Sequence, residues 1–541
     1  VPPVITAPLP HEDGDRATSP TEWIPARLRP IALAGLLAGV LSLAWAVWVA
    51  RDAGDLAAQY AWTAFVRQHP GSAYNFSWYG GIHPASYSVI SPYLMAWLGV
   101  RTTGVLACTA GACFGALLLI RCGLRRPLMP ALWLAVAIWA NLAAGRVTYL
   151  LGTVFVLMAA IALVPGTGSR RPRPAVAAIL ATVATLCSPV AGLFIEVLAA
   201  ALFLTGRRRH AYWLAPGPPL VIAATALLFP FSGVQPFPWY AALLTVAGSV
   251  AVAVLVPAQW RLVRSAAWVY AAGVALCWAL PTPIGSNVER LIMLAGAAVL
   301  ICAGVAGHQQ GRKLAITSLA ATAIAIGTLA QPVRDIVRTE PTADAQPLIT
   351  ELLRRNAQEG RVEVVPMRTH TEASSIAPHV SLARGWNRQA DVQRNPLFYD
   401  GTLTAAAYRA WLRTVGVGYV VLPTAEPDSA GLAEAEIITT GPAWLSLVWQ
   451  NADWQLYRVA DSDSLVSAPA TVSYAGPDAL TVHVPHGGSS LIRIAWSPWL
   501  VVNGHGACLA RSGEWTELIT PGAGTFTIEA RYALNRGTPC A

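Results

Sequence analysis

Arg173-Pro174-Ala175 … Leu186-Cys187-Ser188-Pro189-Val190-Ala191-Gly192 … Leu204-Thr205-Gly206-Arg207-Arg208-Arg209 is the stretch on which the topology of this chain turns. Its apolar block, Ala175 to Leu204, carries arginines at both ends. Arginines beside membrane segments mark the cytoplasmic side, so both ends belong inside. About thirty residues at about 1.5 Å of rise each are too few for two full crossings of a hydrocarbon core about 30 Å thick. The block therefore reads as two short helices meeting at Cys187-Ser188-Pro189. Such a re-entrant pair is tolerated only where protein or a water-filled cavity covers the broken backbone. The competing reading, one long tilted helix kinked at Pro189, inverts the side of every later segment.

Working outward, the rest of the chain reads the same way. Mean hydropathy is +0.49, 55% of residues are apolar and 12% are charged. Apolar runs of about 17 to 22 residues recur from Pro30 to Ala330, long enough to cross a bilayer as helices. Residues 1–29 are polar and Pro-rich and read as a disordered cytoplasmic tail. A first span, about Ile31 to Val49, follows Arg27 and Arg29, so the loop from Arg51 to Val100 lies outside. The next span, about Thr102 to Ile120, returns to Arg121, Arg125 and Arg126. Spans near 128–144 and 147–164 enclose Gly145-Arg146 outside. Beyond the re-entrant pair, spans near 211–230 and 237–256, then 266–281 and 288–306, bring Arg261, Arg264 and 308–313 back inside. A last span near 314–330 exits. The net charge of +9 thus belongs to orientation signals and not to a nucleic-acid surface.

The expected architecture is a polytopic α-helical membrane domain of about eleven segments over 30–331, followed by two extracytoplasmic modules. Residues 332–465 alternate helical stretches (Pro347 to Ala357, Leu403 to Arg413) with short apolar strands (Val362 to Val365, Tyr419 to Leu422, Trp454 to Val459), as an α/β module does. Residues 466–541 alternate strand patterns with Gly/Pro/Asp turns, as a β-sandwich does. Cys508 and Cys540 lie in this last region and can pair if it is exported. No cysteine or histidine spacing matches a zinc site.

Chemistry concentrates in the first outer loop: Asp52-Ala53-Gly54-Asp55 … Arg67-Gln68-His69 … Trp78-Tyr79-Gly80-Gly81-Ile82-His83-Pro84 … Tyr87. A carboxylate at the membrane surface, Asp55 or Asp52, can act as a general base on a hydroxyl. The plain alternative is that these acids cap a helix end. Arg67, His69, His83, Arg146 and Arg290 can converge on an anion, for which phosphate is the natural partner of guanidinium groups. Trp78 and Tyr79 can stack on sugar rings or simply line the interface. In the exported part, Arg384-Gly385-Trp386-Asn387-Arg388-Gln389 is a polar-aromatic cluster that suits either glycan binding or docking onto the membrane domain.

The loop pattern Asp55 … Gln59 … Gly71 … Trp78 … Gly81 … His83-Pro84 … Tyr87 … Pro92 … Leu98-Gly99, the tip Gly145-Arg146, the broken Ser188-Pro189-Val190-Ala191-Gly192 hairpin and an arginine before a late helix resemble the GT-C superfamily of membrane glycosyltransferases. The resemblance covers residues 30 to 330. It implies transfer of a sugar from a polyprenyl-phosphate donor to a glycan or glycolipid acceptor outside the membrane, usually with inversion and with a first-loop Asp as base. The base then maps to Asp55, and Arg146 and Arg290 to the donor phosphate. The spacing Asp52-Ala53-Gly54-Asp55 departs from the commoner adjacent acids, so the choice between Asp52 and Asp55 stays open. So does a divalent cation, which two acids so spaced can share and nothing else in the loop demands. The competing classes are a secondary transporter or flippase, for which Glu196 is the clearest intramembrane acid, and a non-catalytic envelope scaffold.

Overall fold

The computed structural model describes residues 25, 28–50, 54–165, 171–307, 309–338, 343–534 and 536–540. The expected N-terminal tail lies almost wholly outside the described residues, and Asp52 lies outside them too.

Most of the first 337 residues are helical. The helices are α1 (Arg29–Ala44), α2 (Leu56–Gln68), α3 (Ser91–Leu98), α4 (Val100–Arg121), α5 (Leu128–Ala143), α6 (Val147–Leu163) and α7 (Pro174–Cys187). They continue with α8 (Pro189–Leu204), α9 (Arg208–Leu214), α10 (Gly217–Leu228), α11 (Trp239–Leu255), α12 (Arg261–Ala279), α13 (Ala297–Val305) and α14 (Gly311–Val337). Six stretches among the described residues are long and apolar enough to cross a membrane: Arg29–Val49, Val100–Arg121, Arg208–Leu228, Arg261–Ala279, Gly285–Val305 and Gly311–Val337. Helices α5, α6, α7, α8 and α11 are equally apolar but shorter. Exposed Leu220, Leu227, Leu243, Leu244, Leu319 and Ile326 give the bundle an apolar outer surface suited to hydrocarbon.

Small residues let the helices approach closely, which is how apolar helices associate without a hydrophobic driving force. Gly104, Cys108, Gly111 and Gly115 run down one face of α4. A Cβ on Gly115 would meet Leu134 at 2.4 Å, and one on Gly35 of α1 would meet Cys113 Sγ at 2.6 Å.

The block Ala175 to Leu204 is broken at Ser188, whose backbone is extended (φ −156°, ψ 118°). It folds back on itself: Arg209 and Tyr212, just beyond α8, share a groove with Ala178 and Thr182 of α7. The carbonyls left unpaired at the break are taken up by the first loop. Val89 N–H donates to Leu186 O (3.1 Å), and the Ser88 and Ser91 hydroxyls donate to Cys187 O (2.8 and 3.0 Å).

The bundle has two distinct ends. At one, Arg121 donates to Ile161 O, Arg173 N–H to Ala162 O, Arg264 to Ala253 O and Gln309 to Leu255 O. At the other lie Gly145-Arg146, the connections after α10 and α12, and both C-terminal modules. The last helix does not stop at Ala330 but runs through Pro332 to Val337.

The α/β module opens with α15 (Gln346–Arg354). Its mixed sheet contains β1 (Arg361–Val364), β2 (Val417–Pro423), β3 (Leu445–Gln450) and β4 (Trp454–Val459) in the order β1-β2-β4-β3. Strands β1 and β2 are parallel and the other pairs antiparallel. The sandwich stacks β5 (Thr471–Ala475), β6 (Ala479–Val484), β11 (Gly524–Ala530) and β8 (Leu500–Asn503) against β7 (Gly488–Ala495), β10 (Trp515–Thr520) and β9 (Cys508–Ser512). Cys508 and Cys540 are joined by a disulfide.

The stretch read as an open outer loop is the largest departure from expectation. It contains α2 and α3, and its middle is a wedge between the two modules. Trp62, Trp78 and Ile82 share a core with Leu348, Trp454 and Leu456 of the α/β module, and Ala73, Tyr74 and Phe76 share one with Val482, Leu500 and Ile528 of the sandwich. Ala73 N–H donates to Ala530 O, Leu382 N–H to Ser77 O and Ala495 N–H to Gly80 O.

Candidate functional site

Asp55 stands where a kinked helix end meets a tight turn. Helix α1 passes into a π-helical turn, Trp45–Val49, before the chain reaches Gly54. Gly54 sits at φ +57°, and a Cβ there would meet Ala144 O at 2.8 Å, so glycine brings this turn onto the α5–α6 turn. Asp55 N–H donates to the same carbonyl. Asp55 precedes α2, yet its carboxylate makes no capping hydrogen bond. It faces Arg290 instead, at 3.3 Å. The Asp55 side chain keeps 36% of its surface exposed and Arg290 16%, so the pair is partly desolvated and still reachable.

Arg290 is held by a second π-helical turn, Ile292–Gly296. Such turns lose a backbone hydrogen bond and cluster at functional sites. Both here have a side chain on a carbonyl of the turn: Thr328 donates to Met293 O and Arg101 to Ala46 O. The Arg290 guanidinium lies 5.4 Å from the Tyr149 ring centre. Arg146, at the α5–α6 tip, donates to Gln331 Oε1 (2.8 Å) and Asn141 Oδ1 (3.3 Å). Burial and the neighbouring Arg290 cation pull its pKa down to about 10, so it stays charged at neutral pH. Asp55, Arg146 and Arg290, from three distant parts of the chain, are thus brought together.

The other expected site residues are placed elsewhere. Arg67 donates to Ala96 O, and His69 pairs with Asp478 of the sandwich at 3.0 Å. Trp78, Tyr79 and His83 are buried. Trp78 packs on Gly385, where a Cβ would meet its ring at 2.4 Å. The Tyr79 hydroxyl donates to Gly385 O at 2.6 Å, and Arg394 donates to Tyr79 O and Gly81 O. His83 places Nδ1 2.7 Å from Ala73 O and Nε2 3.0 Å from the Ser497 hydroxyl. Those partners suit the neutral ring, with Nδ1–H donating and Nε2 accepting. Burial lowers its pKa to about 4. His69, Trp78, Tyr79 and His83 join the first loop to the modules, and Arg67 ties α2 to α3.

Residues that sequence reasoning left out of the site surround Asp55. Glu289 and Asp335 lie within electrostatic reach of Arg146. Tyr87 accepts a hydrogen bond from Gln59, and burial followed by the Asp55 charge raises its pKa, keeping the hydroxyl protonated. Gln331 and Asp335 carried a signal: four residues apart, they fall on one face of the last turns of α14. Trp386 reaches in from the α/β module and donates Nε1–H to Gly54 O at 3.2 Å. His370 stacks on it with ring centres 3.5 Å apart. The cluster 384–389 therefore docks the module: Arg384 is buried against Glu363 and Glu434, and Gln389 donates to Pro283 O.

Among the described residues no group of three His, Cys, Asp or Glu has metal-ligand geometry. Arg146 and Arg290 bring two guanidinium groups beside Asp55, where Glu289 and Asp335 add carboxylates, and guanidinium groups can hold an anion bidentately.

Residues 467–510 and 502–541 match a family described as a domain of unknown function (DUF8823). No curated protein matches the chain. The family match covers the sandwich and its disulfide, and the residues around Asp55 lie outside it.

Proposed function

We propose that this protein is a GT-C-like membrane glycosyltransferase that moves a sugar from a polyprenyl-phosphate donor to a cell-envelope glycan or glycolipid. In this reading all eleven apolar helical segments enter the plasma membrane. The arginine-bearing end and the N-terminus are cytoplasmic, as the charge rule requires, and the modules lie outside. The disulfide agrees with that side, since disulfides persist in oxidising compartments.

The observation that carries the reading is the Asp55–Arg290 pair at 3.3 Å beside the cationic Arg146, at the end of the bundle away from the arginine clusters. A donor phosphate competes with Asp55 for Arg290. On binding, it takes the guanidinium and frees the carboxylate to accept the acceptor's hydroxyl proton as that oxygen attacks the anomeric carbon. The bond from that carbon to the phosphate oxygen breaks, and Arg146 and Arg290 stabilise the charge on the leaving polyprenyl phosphate. The Tyr87 hydroxyl, still protonated, can donate to the same oxygens. No step is assigned to a metal ion.

The test is transfer from radiolabelled polyprenyl-phosphate sugars to envelope extracts by the purified full chain, wild type beside Asp55→Asn and Asp52→Asn. Transfer lost with Asp55→Asn and kept with Asp52→Asn supports the reading and names the base. A well-folded wild type that turns over no donor across several sugars points to a transporter or scaffold instead.

A further inference from the structure

A cavity with none of the Asp55 neighbours in its lining opens toward the arginine-bearing end. It is a groove of about 590 Å³ between α7 and the stripe formed by α9 and α10. Ala178, Ile179 and Thr182 form one wall. The other follows a single helical face, Arg209, Tyr212, Trp213, Pro216, Gly217 and Leu220, at the spacing of a continuous apolar stripe. Glycine at 217 keeps the walls close, since a Cβ there would meet Thr182 Oγ1 at 2.5 Å. The Thr182 hydroxyl is already used on Ala178 O, leaving the interior without a free polar demand from that wall.

One charged group stands in this apolar lining. Arg209 makes no hydrogen bond or ion pair with any described residue, and it follows Arg207 and Arg208, both exposed. No acid balances it locally: from residue 56 to residue 288 the sequence contains one, Glu196, which does not line the groove. Exposed Leu220 and Ile179 open the groove sideways onto the apolar outer surface of the bundle. An occupant must therefore be long and apolar, enter from the membrane, and carry negative charge at the end where Arg209 lies.

We propose that this groove binds an anionic phospholipid of the leaflet at the arginine-bearing end, its phosphate against Arg209 and an acyl chain along the stripe toward Leu220. Tyr212 and Trp213 follow the Arg207–Arg209 cluster directly, and amphipathic rings favour the headgroup boundary. The site is separate from Asp55 and does not depend on the transferase reading.

The test is lipid retention by native mass spectrometry of the full chain released from bilayer discs of phosphatidylcholine containing phosphatidylglycerol. Wild type is expected to retain phosphatidylglycerol over phosphatidylcholine. Arg209→Ala is expected to weaken retention about tenfold, the loss of one charge-assisted hydrogen bond. Ala178→Trp, which fills the groove, is expected to abolish it, and Leu220→Trp serves the same purpose if Ala178→Trp does not fold. Arg312→Ala combined with Lys313→Ala, on the same end outside the groove, is expected to retain lipid as wild type does. Undiminished retention in a folded groove-filling variant overturns the proposal. So does equal retention of the zwitterionic lipid, or an equal loss in the Arg312/Lys313 variant, which would make the lipid a general annular one.

Discussion

At the residue scale, Asp55 and His83 were read alike, as chemistry-bearing groups in one loop, and their surroundings separate them. Asp55 leaves the cap unmade and turns to a cation, whereas His83 is sealed between Ala73 and Ser497. His83 therefore predicts a pH dependence of stability. Its folded pKa, about 4, lies below the ordinary 6.5, so the unfolded chain binds the proton first. Its contribution is complete above pH 6.5 and is lost as pH falls toward 4, amounting to about 3 kcal/mol at most. Thermal unfolding in detergent should show a falling Tm over that interval. His83→Gln, which keeps a donor and an acceptor, should flatten it. An unchanged slope in the variant would assign the pH effect to other groups. For Arg146, replacement by Lys keeps the charge but not the two-pronged contact to Gln331 and Asn141. Arg146→Lys is expected to reduce transfer at least tenfold, with the loss chiefly in donor KM.

At the element scale, the broken hairpin of α7 and α8 shows why the apolar block could be read from its ends. Arginines on both sides predict an even number of passes, and Pro189 supplies the break because it cannot donate to the preceding turn. The cover over the break was not legible. Ser88 and Ser91 are ordinary loop serines in the sequence, and only the fold puts their hydroxyls on Cys187 O. Ser88→Ala with Ser91→Ala leaves that carbonyl short of both donors, at about 1–3 kcal/mol. A clear drop in Tm in detergent is expected, and an unaltered Tm would show that water replaces the hydroxyls. The π-helical turns were likewise invisible to periodicity, because a single wide turn hardly changes an apolar run. Thr328→Val removes the donor on Met293 O and should shift Arg290, lowering transfer with little change in helical content by circular dichroism.

At the scale of the whole molecule, the bundle and modules form one interlocked body through the first loop, Trp386 and the stacking of Phe229 on Trp499. Topology then has a direct check. Cys122 is exposed at the arginine-bearing end, while Cys508 and Cys540 are paired at the other. A membrane-impermeant maleimide should label Cys122 in inverted vesicles and not in right-side-out ones. Reduction should expose Cys508 and Cys540 to the reagent only in right-side-out vesicles. Labelling of Cys122 from outside would reverse the assigned orientation. Removing the disulfide with Cys508→Ser releases a loop spanning 32 residues. The sandwich is expected to lose about 3–4 kcal/mol by chain entropy, seen as earlier proteolysis of residues beyond 466.

The apolar runs, the arginine clusters and the strand alternation after residue 466 were legible because each is a local quantity: a length, a charge beside a span, a period of two. They pointed to the apolar helices suited to a membrane, to the break beside Pro189 and to the β-rich C-terminal region. Which polar residues of the first loop face a ligand and which lie in a core is not local. Trp78, Tyr79 and His83 have the composition of a site and the burial of an interface, because the modules that cover them come some 300 residues later in the chain. Asp55, Arg146 and Arg290 could be nominated from their place beside spans. Only the packing of α1, α5, α6 and α14 could set them side by side, since a charge becomes a site through its neighbours in space.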